Sequence, residues 1–143
     1  MTHAHEYSNP GHAGHAPGSS ARTWSILCHL AGFGGYVVPV LGSILLPLVF
    51  WLMRRDEDPF IDHHGREALN FQITLFFVYM AVFMMGVMVF LSSLLVGPAV
   101  LGLLPLFFVF AIVPLYQIAM IVVAAVKANE GDWFRYPLTL RLI

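Results

Sequence analysis

Three apolar stretches, residues 24–52, 69–96 and 99–128, fill most of this chain, and one densely charged segment divides the first from the others. Each is longer than the roughly 18 residues that mark a candidate membrane helix. The dividing segment, Arg54 to Glu67, holds three of the seven Arg and Lys residues and five of the eight Asp and Glu. Such a stretch stays outside hydrocarbon, so its neighbours are read as embedded relative to it. Charged residues make up 10% of the chain, where soluble domains carry about 25%. The sequence therefore predicts an all-α, small polytopic helical membrane protein.

The first run is the ambiguous one. A straight helix over its 29 residues would be about 43 Å long, more than a hydrocarbon core of roughly 30 Å. Val38-Pro39-Val40-Leu41-Gly42 breaks it into two halves, each too short to cross alone without thinning or tilt. It is either a hairpin or a single kinked span, followed by two long antiparallel helices, three or four membrane helices in all. Both forms place Gly35 to Gly42 against the later helices, because irregular backbone at membrane depth needs protein or a wet cavity around it. In the hairpin form all seven basic residues share one side, the cytoplasm by charge bias.

Residues 1–21 read as a disordered tail, cytoplasmic or extracytoplasmic, and 22–143 as the membrane domain. Within that domain 53–68 is a cytoplasmic loop and 129–143 an interfacial C-terminal segment mixing aromatics with arginine. The tail has no basic n-region followed by a short apolar stretch, so export in soluble form is not expected. Its histidines, His3, His5, His12 and His15, suit a metal by residue type, but no Cys or carboxylate cluster completes a site. Asp58-Pro59 resembles a helix cap and first-turn pair, predicting a short interfacial turn that carries Phe60 and Ile61.

Polar residues at the edges of the apolar runs, and His29, Tyr116 and Gln117 inside them, are the candidate positions. His63, Glu67 and Asn70 fall at i, i+4 and i+7 on one helical face. The pattern is either a polar or metal-binding cluster or a structural one in which Glu67 and Asn70 cap or bond neighbouring chain at the interface. The second is favoured, because an ordinary metallohydrolase helix carries two His at i, i+4 with a flanking Glu. Asn70 and Gln72 are amides at the mouth of a span, where a partner across a helix interface is expected. His29 is either a functional group in lipid or an interfacial residue bonded to a backbone carbonyl. Pro114, Tyr116 and Gln117 put a kink, a hydroxyl and an amide together, either lining a polar path or satisfying one another. Lys127 is placed to snorkel, Asn129 sits at the cytoplasmic interface, and Ala124-x-x-x-Ala128 offers a close helix contact. Ser25, Cys28 and His29 form the one nucleophile-and-base grouping, and no acid completes it.

Trp24-Ser25-Ile26-Leu27-Cys28-His29-Leu30, Pro47-Leu48-Val49-Phe50-Trp51-Leu52 and Arg55-Asp56-Glu57-Asp58-Pro59-Phe60 together resemble the bacterial DUF4870 membrane-protein family, related to the Tic20-like proteins. Gly65-Arg66-Glu67-Ala68-Leu69-Asn70-Phe71-Gln72, Lys127-Ala128-Asn129-Glu130-Gly131 and Tyr136-Pro137-Leu138-Thr139-Leu140-Arg141-Leu142-Ile143 carry the same resemblance, which covers about residues 22–143. It implies a bacterial plasma-membrane protein without established activity. Tic20 belongs to the chloroplast inner-envelope import machinery and has four membrane helices, which implies the hairpin and a subunit or channel role. The expectation is a non-enzymatic structural, assembly or scaffold subunit. Its partners are the lipid bilayer and further copies or other membrane subunits, with no cofactor, no catalytic or metal site and no nucleic acid. A transporter or translocation component is the alternative, with Tyr116, Gln117, His29 and the broken run converging on one cavity.

Overall fold

The computed structural model describes residues 16–96 and 104–143. Residues 1–15, with the tail's four histidines, and residues 97–103, with the Gly97-Pro98 connector, lie outside the described residues. Residues 19–21, read from sequence as the end of a disordered tail, are instead helical, and Ala21 is buried against Phe60 and Ile61. Helix α1 (Ser19–Leu30) runs into a 3-10 turn (Ala31–Tyr36). Helices α2 (Leu41–Arg54), α3 (Pro59–Val96) and α4 (Leu104–Glu130) follow, and the chain ends in an extended segment from residue 132 onward.

Burial identifies the solvent. α3 and α4 are long and apolar enough to cross a membrane, yet only 6% and 17% of their most apolar windows is buried in protein. The core helices of a soluble protein would be mostly covered. Here Phe83, Met88, Phe90, Phe107 and Leu115 point outward, while Gln72, Gln117 and Asn70 point inward. An apolar exterior around polar contacts is the arrangement that lipid favours. The protein is a small α-helical membrane protein.

α2 doubles back along α1. The Phe50 ring lies 6.1 Å from that of Trp24, and the Arg54 guanidinium sits 4.8 Å from the Trp24 ring centroid. At the far end the two arms close at a pair of glycines, since a Cβ on Gly42 would stand 2.2 Å from the Gly34 carbonyl oxygen. The bend between them differs from the sequence expectation. Residues 36–41 are exposed, Val37 by 83%, and face the later helices across a cavity that Tyr36, Pro39 and Val40 help to line.

Local hydrogen bonds are the reason. The Val37 and Val38 N–H groups reach the Gly34 carbonyl, Leu41 N–H reaches Pro39 and Gly42 N–H reaches Val38. The Ser43 hydroxyl donates to the Val40 carbonyl. Val40, at φ 65 and ψ −61, forms the centre of a γ-turn, a rare conformation for a β-branched residue.

α3 starts earlier than the charged segment suggests. The Asp58 carboxylate accepts from Phe60 N–H at 2.8 Å and caps the helix, so Pro59 to Ala68 are its first turns and not a separate short turn. Phe60 and Ile61 are fully buried against Ala21 of α1, with Trp24 and Trp133 beside them. Further along, Ala68 and Leu69 pack with Cys28 and Trp51. Phe71 and Leu75 then meet Ile121, Ala124 and Tyr136. α1 thus packs against both long helices, which touch each other sparingly. Ala124 and Ala128 are fully buried, as close packing of small residues requires.

Candidate functional site

One face of α3 holds the extended C-terminal segment by its side chains. His64 Nε2 donates to the Asp132 carbonyl at 3.1 Å, and His63 Nε2 to the Phe134 carbonyl at 2.9 Å. One turn on, the Glu67 carboxylate accepts from Tyr136 N–H at 3.1 Å. The Asn70 amide oxygen accepts from Leu142 N–H at 2.9 Å and Ile143 N–H at 3.1 Å, while its nitrogen donates to the Ile143 carbonyl. The Thr74 hydroxyl accepts from Leu140 N–H at 3.0 Å. Tyr116 on α4 donates to the Pro137 carbonyl at 3.4 Å. Extended backbone without a strand partner must satisfy its polar groups somewhere. Here a helix supplies the partners.

Tyr136 is the plug of this strap. Its ring is 2% exposed and stacks on Phe71 with centroids 4.1 Å apart. Its hydroxyl meets His29 Nδ1 at 3.0 Å, and His29 Nε2 meets His64 Nδ1 at 2.8 Å. The chain of bonds fixes every proton. Asp132 offers a carbonyl, which only accepts, so His64 carries its proton on Nε2 and accepts on Nδ1 from His29 Nε2–H. His29 Nδ1 is left to accept from the tyrosine. Burial, with Glu67 and Tyr116 nearby, raises the Tyr136 phenol well above its ordinary pKa and keeps it a donor. Three elements, α1, α3 and the strap, are tied by one line of hydrogen bonds.

The other sequence candidates divide. Gln72 and Gln117 pair across α3 and α4, with Gln117 Nε2 donating to Gln72 Oε1 at 3.0 Å. Tyr116 turns away toward Pro137, and His29 bonds His64 and Tyr136 instead of a backbone carbonyl. Neither Tyr116 nor His29 lines the cavity at the hairpin tip, where Gln117 and residues of the broken run do meet. Lys127 pairs with Glu130 and Asp132 at the exposed surface, where ion pairs contribute little. Asn129 lends its carbonyl to the Arg22 guanidinium at 3.3 Å, which places a cation at the C-terminus of α4.

Both nitrogens of His29 are occupied, so it has no lone pair for Ser25, whose buried hydroxyl finds no partner among the described residues. Among those residues no group of three His, Cys, Asp or Glu could hold a metal ion.

His64 and Tyr136 are the residues that sequence reasoning passed over. His64 was legible: it continues the buried stripe Phe60, Ala68, Phe71, Leu75 at helical spacing, whereas His63 sits about 100° around the helix. Tyr136 carried no such signal, because an extended segment has no helical period.

Because one Asn70 side chain makes three of the strap's bonds, Asn70→Ala is expected to loosen the chain end without unwinding α3. Hydrogen exchange at the Leu142 and Ile143 amides should quicken about tenfold or more. Unchanged rates there would show that the bonds hold nothing.

No curated protein and no solved structure matches the chain. The family comparison overturns the DUF4870 and Tic20-like assignment drawn from the motifs. Those motifs map onto the hairpin ends, the α3 ladder and the strap it holds, which are architecture, and architecture does not fix function. The match spans residues 20–143, nearly all of the described structure, and the chain belongs to the magnetosome magnetite crystal formation protein family (MamF_MmsF).

Proposed function

We propose that this protein is a non-enzymatic scaffold or assembly subunit of the membrane in which magnetite crystals form. The family's description supplies the process. The observation that carries the structural role is the ladder on α3: His63, His64, Glu67 and Asn70 are all committed to holding the chain's own end. That use of the polar face supports architecture over chemistry. The exposed apolar faces of α3 and α4 support lateral association with lipid, further copies or other membrane subunits.

The proposed topology puts the charged end in the cytoplasm, since Arg22, Arg54, Arg66 and Lys127 gather there. α2, at 14 residues, reaches about 21 Å, short of a hydrocarbon core of roughly 30 Å. α1 and α2 then form a re-entrant hairpin whose bend stays within the bilayer.

Two experiments test this. In a Cys28→Ser background, single cysteines at Asp56 and Leu138 should label from the cytoplasmic side, and one at Val37 from neither side. Labelling of Val37 from outside would mean that the hairpin crosses; outside labelling of Asp56 would invert the topology. Removing the gene from a magnetite-forming cell should shift the crystal size distribution, measured by electron microscopy, and the intact chain should restore it. Unchanged crystals would refute the assembly role.

A further inference from the structure

The cavity at the hairpin tip is a site of its own. It has a volume of about 390 Å³ and lies between the bend, α3 and α4. Phe76, Phe83 and Phe110 are among its walls, and none of its lining residues is charged. Its size, apolar walls and few polar groups are those of a small-molecule pocket between bundle helices. Gln117, one of the lining residues, is eleven residues before Ala128, about 16 Å along α4 from the charged end. The pocket is therefore at bilayer depth.

Its polar groups are incompletely used. Tyr79 O–H reaches Gln117 Oε1 at 3.5 Å, and Gln117 Nε2 donates to Gln72 Oε1. This order leaves Gln72 Nε2 as the terminal donor of the row, beside Gly32, on a side chain that lines the cavity and is 3% exposed. Pro114, also in the lining, has no N–H to give the Phe110 carbonyl. An amide donor left open in hydrocarbon is costly unless something accepts from it.

We propose that this cavity binds an uncharged lipid-soluble molecule, an apolar chain bearing a carbonyl or ester oxygen that accepts from Gln72 Nε2. The absence of charge in the lining disfavours ionised headgroups, and plain hydrocarbon would leave the amide unmet. A ring carbonyl and a glyceride ester share this chemistry. The site stands independently of the scaffold reading.

The test is thermal unfolding of the full chain in detergent with three probes: decylubiquinone, dioctanoylglycerol and decylbenzene. At least one of the two oxygen-bearing probes should raise Tm saturably by about 3 °C or more, and the larger shift identifies the source. Decylbenzene should give less than half that shift. Gln72→Leu should abolish the difference between the oxygen-bearing probes and the hydrocarbon. Met80→Trp, which adds an indole to the cavity wall and leaves the amide pair intact, should abolish binding altogether. Equal shifts from all three probes, full binding by either variant, or no shift in the parent would each overturn the proposal.

Discussion

Truncating Tyr136 to alanine should lower stability by about 3–5 kcal/mol, the range for removing a fully buried aromatic side chain. The ring fills the space between Phe71, Ile121 and Ala124, and the strap's other anchors sit at its more exposed ends. Tyr136→Phe separates packing from hydrogen bonding. It keeps the stack on Phe71 and removes the donor to His29 Nδ1, leaving a buried acceptor unsatisfied at about 1–3 kcal/mol. Denaturant titration in micelles, followed by circular dichroism, measures both. The alanine variant should also expose the segment after Gly131 to protease. Equal losses in the two variants would mean that the hydroxyl, and not the ring, carries the effect.

The second large effect inverts an ordinary rule. Glycine inside a helix normally costs about 0.8–1.0 kcal/mol against alanine, so Gly65→Ala in α3 should stabilise on propensity alone. A Cβ at Gly65, however, would stand 2.2 Å from Cδ1 and 2.5 Å from Cγ of Trp51. Trp51 has nowhere to go. It is 6% exposed, its indole N–H donates to Asp62 at 2.9 Å, and the Arg55 and Arg66 guanidinium groups lie over its ring. Overpacking costs about 1–3 kcal/mol, which outweighs the propensity gain, and Gly65→Leu should cost more still. Pairing Gly65→Ala with Trp51→Leu should recover part of the loss, a coupling expected of residues in contact. If Gly65→Ala raises the unfolding midpoint, the α2–α3 contact is looser than the distances say.

How much of this could be read in advance depends on the kind of order. The apolar runs dictated helices and lipid, because about 20 apolar residues without charge have no other stable environment. The face shared by His63, Glu67 and Asn70 was legible too, since a helix repeats every 3.6 residues and turns spacing into geometry. What those residues hold was not. The segment that fills the ladder lies about 70 positions away and has no period, so the pairing of Glu67 with Tyr136 and of Asn70 with Leu142 and Ile143 exists only once α1 and α4 bring the chain end back over α3.

The same holds for Gln72 and Gln117. As amides at the mouth of one apolar run and near the middle of another they announced a need for partners, and the packing of α3 against α4 chose which one. The bend at Val38 to Gly42 shows the limit from the other side. Sequence marked it as a break needing cover, but its carbonyls and amides close on one another, so it stands exposed and lines one side of the cavity. Composition and period determined the elements and their solvent. Long-range hydrogen bonds and the register of helix on helix, which no local pattern encodes, decided the site.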